Sequence, residues 1–386
     1  MGSDPILVSS SAPLFALVDA LKEALWRGGP AVFCHDSSTP AVLRGPVPSE
    51  AAVVVETSGT TGTPKQVWLG KDAILSSALT TSRAAGADGV WWLALPTHYI
   101  AGLQVVVRSL LAGYEPVVSP QGLDTVGKLR EVLPELREAT ANDVPLYCSL
   151  VPTQLAQLVD AVEAGELEAH DLSLFARILV GGQRIDTRLI ERANAVGAVV
   201  TRTYGAAETA GGCVWDGEAL DEVSLDIVGG RVAISGPMLA GGYLGDDTLS
   251  GETFIEREGK RWFLSRDLGS IDDGHLLVHG RVDDVIISGG VKVSLDDVER
   301  VMREQAGVSD AIVVSVVDSK WGEVPVVVTT GQCDLDQIRA TANEALGPAA
   351  QPHSVLTLDG IPLLPSGKPD RLAIRELVTQ RLAYDE

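Results

Sequence analysis

Between residues 53 and 203, short apolar runs alternate with longer stretches of helical periodicity, and this alternation restricts the fold more than any other feature. Residues 53–55, 91–95, 116–118, 147–150, 178–180 and 199–203 are mostly aliphatic or β-branched runs, too short for helices. Between them, 71–85, 102–111, 126–138, 152–163 and 187–195 read as helices. A strand that is apolar at consecutive positions is covered on both faces. Helices placed between strands supply that cover, so the pattern predicts a largely parallel α/β sheet. A helix over 14–26 is predicted from the spacing of Leu14, Val18, Leu21 and Leu25. After residue 223 the helical patterns stop, and short strands with Gly-rich turns predict a small β-rich subdomain. Near residue 283 the character changes again. Helices at 296–303 and 335–346 accompany strands at 311–317 and 324–329, which reads as a compact α+β unit. The expectation is an α/β protein: a large N-terminal domain, 1–282, with mainly parallel sheets and the β-rich subdomain, then a small mobile α+β C-terminal domain, 283–386.

With 386 residues the chain exceeds one ordinary core, which agrees with two domains. Its 52 acidic against 30 basic side chains give a net charge of −22, so nucleic acid and anionic membranes are excluded as partners. ATP is not excluded. A distant repulsive field is screened within about 8–10 Å, and a local set of donors with Mg²⁺ overcomes it. Cys34, Cys148, Cys213 and Cys333 are too scattered for a metal motif and read as reduced thiols of a cytoplasmic protein. The N-terminus lacks a basic segment followed by an apolar core, and no apolar run approaches the roughly 20 residues of a membrane span.

The chemistry is concentrated in short segments. Ser58, Gly59, Thr60, Thr61, Gly62, Thr63, Pro64 and Lys65 follow an apolar run at 51–55. Glycines let the main chain approach an anion, free N–H groups and hydroxyls donate to it, and Lys65 adds positive charge. This is a polyphosphate cradle. It differs from the Gly-Lys-Ser/Thr phosphate loop, because Pro64 stands between the last loop residues and the lysine. Downstream come TYGAAET at 203–209, GPMLAGGY at 236–243, FLSRDLG at 263–269, GRVDDVIISGG at 280–290 and LPSGKPDR at 364–371. In this order the six segments resemble the signature motifs of the adenylate-forming superfamily, which includes acyl-CoA synthetases, peptide-synthetase adenylation domains and luciferases.

The resemblance implies that a carboxylate is joined to the α-phosphate of ATP, releasing pyrophosphate, and that the acyl group then passes to the thiol of coenzyme A. It implies that the 58–65 loop holds the β- and γ-phosphates and that Glu208 ligates Mg²⁺, with Tyr204 and Gly205 framing it in the nucleotide site. The family usually has Thr before that glutamate, whereas this chain has Ala207. The missing hydroxyl is worth about 0.5–1.5 kcal/mol, and Thr209 is expected to replace it. Gly181, Gly182 and Gln183 resemble the segment beside adenine. By the same resemblance Asp267 accepts from the ribose, Arg281 reaches the ribose or a phosphate, and Lys368 bridges the incoming carboxylate and the α-phosphate. Asp283 takes the hinge position, and Gly289 and Gly290 let the backbone approach the pantetheine arm.

The phosphate loop begins only 57 residues into the chain, a compactness similar to the short o-succinylbenzoate–CoA ligases of actinobacterial menaquinone synthesis. The segment LPTHYIAG at 95–102 also resembles those ligases and implies that His98 lines the acyl pocket. The aromatic diacid needs a flat apolar slot and a cation for its unreactive carboxylate. Arg202, Arg184 and His98 are candidates for that cation. Another acyl- or aryl-CoA ligase, a carrier-loading adenylating enzyme and an inactive nucleotide-binding module are the alternatives. A homodimer is a family-level expectation.

Overall fold

In the computed structural model, residues 4–57, 64–305, 308, 311–364 and 367–385 are described. Ser58, Gly59, Thr60, Thr61, Gly62 and Thr63 lie outside the described residues. The chain divides into two compact units. One comprises the residues up to Asp226 with Ala233–Leu264 and Asp273–Leu276; the other comprises Ile227–Val232, Ser265–Asp272 and the residues from Leu277 onward.

In the first unit a seven-stranded sheet runs in the order Glu218–Ala219, Gly211–Trp215, Val200–Ala206, Phe175–Gly181, Leu146–Leu150, Val90–Leu93, Val117–Val118. From Val200–Ala206 to Val117–Val118 every pairing is parallel, and only the two strands at the other end turn back antiparallel. The helices Thr125–Ala141, Pro152–Glu163 and Thr187–Ala195 cover one face. Their Leu129, Leu136, Leu155 and Leu158 pack with Trp92, Cys148, Phe175 and Ile178. Burying such a leucine contributes about 1.5–3 kcal/mol. All four residues of Val90–Leu93 are buried, as expected for a strand covered on both sides.

A second, five-stranded sheet was less legible. It runs Ile6–Ser9, Val32–His35, Ala51–Thr57, Lys65–Gly70, Gly242–Tyr243; its first three strands are parallel and its last two antiparallel. Thr57 and Lys65 are register partners, so the two strands flanking the phosphate-loop sequence form an antiparallel pair. The β-rich segment forms a third sheet, ordered Ser224–Val228, Arg231–Ser235, Lys260–Asp272, Phe254–Arg257, with His275–Arg281 beside Lys260–Asp272. One helix interrupts this region, against the expectation of strands alone. It is Asp247–Thr253, started by Asp246, whose carboxylate accepts the Leu249 N–H at 2.8 Å.

The second unit carries a sheet ordered Val291–Ser294, Val285–Ser288, Gly322–Thr329, Ala311–Asp318, with Ser354–Thr357 parallel to Gly322–Thr329. Alternating residues face opposite sides. Val313 and Val327 pack with Val298, Met302 and Ile338 of the helices Leu295–Arg303 and Leu335–Leu346. Ile312, Val314, Val326 and Val328 pack with Ile374 and Val378 of a third helix, Arg371–Asp385, which the sequence reading missed.

Candidate functional site

In the first unit the site is built on a reversal between Val200–Ala206 and Gly211–Trp215. Gly205 pairs with Gly212, and a Cβ on Gly205 would collide with the Gly211 carbonyl, so only glycine fits. The chain turns through a single 3₁₀ turn, Ala207–Thr209. Thr209 locks that turn: its hydroxyl accepts the Ala206 N–H at 2.8 Å and donates to the Gly211 carbonyl at 2.8 Å. The residue is 0 % exposed. A hydroxyl so engaged does not substitute for the one lost at Ala207, and the expectation that Thr209 reaches a phosphate is corrected on this ground. Tyr204 is half-buried on the preceding strand.

Glu208 is 9 % exposed at the apex of the turn. One carboxylate oxygen accepts the Tyr243 hydroxyl at 2.6 Å, and the Glu208 carbonyl accepts the Ala240 N–H at 2.8 Å. Among the described residues no cation pairs with Glu208, and its second oxygen takes no hydrogen bond. A near-buried carboxylate with one oxygen fixed and one uncommitted fits a hard divalent cation. No cluster of three or more His, Cys, Asp or Glu side chains that could hold a metal ion exists among the described residues. The donor set therefore suits Mg²⁺, which is held by one or two carboxylates together with nucleotide phosphates. Lys65, half-buried, has its Nζ 5.4 Å from the centroid of the Tyr243 ring. Gly181 ends its strand opposite Thr203, Gly182 follows at φ +81°, and the buried Gln183 amide nitrogen has no hydrogen-bond partner among the described residues. An amide donor left unpaired there is available to a ligand.

His98 lies 6 % exposed just before the helix Ile100–Ala112. Neither ring nitrogen has a hydrogen-bond partner among the described residues. Burial lowers its pKa and His35 acts in the same direction, while Asp36 and Glu56 oppose. A little over two turns into that helix stands Arg108, which sequence reasoning missed. It is 4 % exposed, its guanidinium carbon lies 5.0 Å from the Trp91 ring centroid, and its Nε has no partner. No carboxylate pairs with it among the described residues, and burial pushes its pKa down to about 9. Gly211 lies beside this guanidinium, the space for its absent Cβ being 4.0 Å from an Arg108 nitrogen. Gln104, one turn earlier on the same helix, donates to the Ala210 carbonyl at 2.9 Å and leaves its own oxygen unpartnered. Arg202, by contrast, is paired with Asp216 at 2.9 Å, and Arg184 is exposed. A detectable signal existed: Arg108 is the one charged residue of the sequence 100–112, and no acid stands three or four residues away to neutralise it.

The second unit brings together Asp267, Arg281, Asp283 and Lys368. Arg281 donates to the Asp267 carboxylate at 3.1 Å and, through its backbone N–H, to Asp296 at 3.2 Å. Burial lowers the Lys368 amine pKa, and Arg281 lowers it further, while Asp267 acts in the opposite direction. The loop closes through the Leu364 N–H on the Lys368 carbonyl, at 2.7 Å. Asp283 receives both ends of the Arg266 guanidinium and lies 3.5 Å from Arg281. Burial opposes ionisation of Asp283, yet the two arginines hold its pKa below the usual carboxylate range. Gly289 takes φ +57° and donates its N–H to the Trp321 carbonyl at 2.8 Å; a Cβ there would meet the indole at 2.7 Å. Gly290 follows at φ +84°.

Comparison with known proteins places these sites in a wider frame. Residues 16–236 match the family described as AMP-binding enzyme, and residues 297–368 match the AMP-binding enzyme C-terminal domain. A probable 2-succinylbenzoate–CoA ligase of Mycobacterium tuberculosis is 36 % identical over 376 residues, covering 93 % of this chain and 94 % of that one. A 2-succinylbenzoate–CoA ligase of Listeria monocytogenes is 27 % identical, covering 88 % of this chain and 73 % of that one. Among solved structures, the o-succinylbenzoate CoA synthetase of Bacillus subtilis in complex with the acyl-adenylate intermediate OSB-AMP aligns with a TM-score of 0.69. It is 26 % identical and covers 89 % of this chain and 74 % of that one.

Proposed function

Because this chain belongs to the AMP-binding enzyme family, we propose that it is an AMP-forming 2-succinylbenzoate–CoA ligase, acting in menaquinone biosynthesis. The observation that supports the substrate is Arg108, a buried guanidinium without a counter-ion among the described residues, set against Gly211 three residues beyond Glu208. A buried unpaired charge is expensive, and it fits a site whose ligand brings the opposite charge. A diacid does so: one carboxylate reacts and the other pairs with Arg108.

In the first half-reaction an oxygen of the reacting carboxylate attacks the α-phosphorus of ATP, and the bond to the bridging oxygen breaks to release pyrophosphate. Lys65 and the 58–63 segment would bind the phosphates, Gln183 and Tyr204 the base. Asp267 would take the ribose, with Arg281 and Lys368 facing the charge that gathers at the α-phosphate. Glu208 would hold Mg²⁺, which would supply charge neutralisation for the phosphates. In the second half-reaction the thiolate of coenzyme A attacks the acyl carbonyl and AMP departs with the bonding pair. Positioning and electrostatic stabilisation carry both steps.

We take residues 283–386 as the part that turns between the half-reactions, with Asp283 as hinge and Gly289 and Gly290 beside the pantetheine arm. The homodimer belongs to this reading as well. So does cytoplasmic residence, supported by the four free cysteines; among the described residues no helix is long and apolar enough to cross a membrane.

Pyrophosphate exchange tests the reading. Exchange is expected with o-succinylbenzoate and not with benzoate or fatty acids; exchange confined to other acids would refute the substrate. Lys368→Ala is expected to slow adenylate formation by about 10²–10³-fold while sparing thioester formation from preformed adenylate.

A further inference from the structure

Tyr243 has no role in the functions assigned so far, yet its surroundings fix it from four sides. Its backbone pairs with Val67 in the antiparallel ladder between Gly242–Tyr243 and Lys65–Gly70. Its N–H donates to the Ser250 hydroxyl at 2.9 Å. Its ring lies 6.0 Å from the Phe254 ring, and Lys65 stands over it. The side chain is buried, and its hydroxyl donates at 2.6 Å to a carboxylate that no cation neutralises among the described residues. Many backbone carbonyls in such a site accept from a phenol at no charge cost. The use of an otherwise unpaired carboxylate points to a task for that carboxylate. A donor on one oxygen fixes the side-chain torsions and leaves the other oxygen facing a single direction.

Resting on the reading of Glu208 as cation ligand, we propose that Tyr243 is a positioning residue for the divalent cation: its phenol orients the Glu208 carboxylate so that one oxygen is committed to the protein and the other is presented to the metal. The partner of a ligating carboxylate acts on affinity, and its loss typically costs 10–100-fold.

The test is Mn²⁺ titrated into the full-length protein with α,β-methylene-ATP, free Mn²⁺ being read by electron paramagnetic resonance. Tyr243→Phe keeps the ring and its contact with Phe254, and is expected to bind Mn²⁺ about 10-fold more weakly. Its affinity for the nucleotide without metal stays the same. In a Glu208→Gln background, Tyr243→Phe should produce no further loss. Wild-type Mn²⁺ affinity in Tyr243→Phe, or a loss of the same size with Gln at 208, overturns the positioning role. If Glu208→Gln itself leaves Mn²⁺ binding intact, the cation reading falls first and the proposal with it. Should Tyr243→Phe melt early, 3-fluorotyrosine placed at 243 serves instead. Its ¹⁹F resonance should move when Mg²⁺ is added to the nucleotide complex, and a stationary resonance overturns the proposal.

Discussion

In the reaction proposed above, Lys368 carries charge between two anions and works only while protonated, so on that proposal the groups that set its pKa set the pH range of adenylation. Burial and Arg281 both lower the pKa of Lys368, and Asp267 alone raises it. The charged form is thus lost as pH rises, earlier than for a free lysine. Adenylate formation is expected to fall on the alkaline side, and Asp267→Asn is expected to move that fall to lower pH. A pH profile of single-turnover adenylation checks this; an unmoved alkaline limb would show that another group controls it. Arg108 makes the complementary case. Replacing this unneutralised cation by methionine is expected to raise thermal stability, since a buried charge is removed without leaving a partner behind. The same substitution should cost about 1.5–3 kcal/mol in diacid recognition, roughly 10- to 150-fold in kcat/KM for o-succinylbenzoate. Arg108 belongs to none of the six motifs, so motif spacing did not point to it; the local sign was a lone charge in an apolar helix, and among the described residues the fold brings no acid to it. Thr209 shows the reverse error, where a hydroxyl adjacent to the right glutamate is consumed by the turn that presents it.

At the level of elements, the helix Leu295–Arg303 places Asp296 where burial, Asp284 and Glu299 all disfavour its charge, against Arg371, and its pKa rises to about 6. A carboxyl whose folded pKa lies above its unfolded value holds more protons when folded between about pH 4 and 6. Stability therefore falls as pH climbs through that window and the penalty is complete above it. Asp296→Asn keeps an acceptor for the Arg281 N–H and is expected to stabilise the protein by about 1–3 kcal/mol at pH 8 and by almost nothing at pH 4, as read by chemical denaturation. An equal gain at both pH values would sink this account. Helices such as Lys71–Ala85, Pro152–Glu163 and Leu335–Leu346 were legible to their ends, because periodicity and chain-breaking neighbours coincide there. Ile6–Ser9 and Val32–His35 were not. Four residues give too little pattern, and these strands exist through their parallel pairing with one another and with Ala51–Thr57. Arg371–Asp385 was hidden because its apolar contacts, Ile374 and Val378, are few and far apart in an otherwise polar helix.

For the whole molecule, the net charge of −22 opposes the approach of ATP and coenzyme A, while the sites themselves collect Lys65, Arg108, Arg281 and Lys368. Raising ionic strength screens the long-range repulsion more than the short-range contacts. The association rate of coenzyme A, followed by stopped-flow fluorescence, is expected to increase between about 0.01 and 0.1 M salt, where the Debye length falls from about 30 to 10 Å. A decrease would mean that local positive potential governs encounter. The order of the motifs made the family legible at this scale. The division of packing was less so, because four strands of the third sheet, Ser224–Val228, Arg231–Ser235, Lys260–Asp272 and His275–Arg281, each contribute residues to both units. The sheet of the smaller unit has helices of its own on either side, Leu295–Arg303 and Leu335–Leu346 on one and Arg371–Asp385 on the other. Such a body needs no neighbour to keep its interior dry. Its sheet is shielded from water by helices of the same unit, so the stability of that interior rests on contacts made within the unit itself.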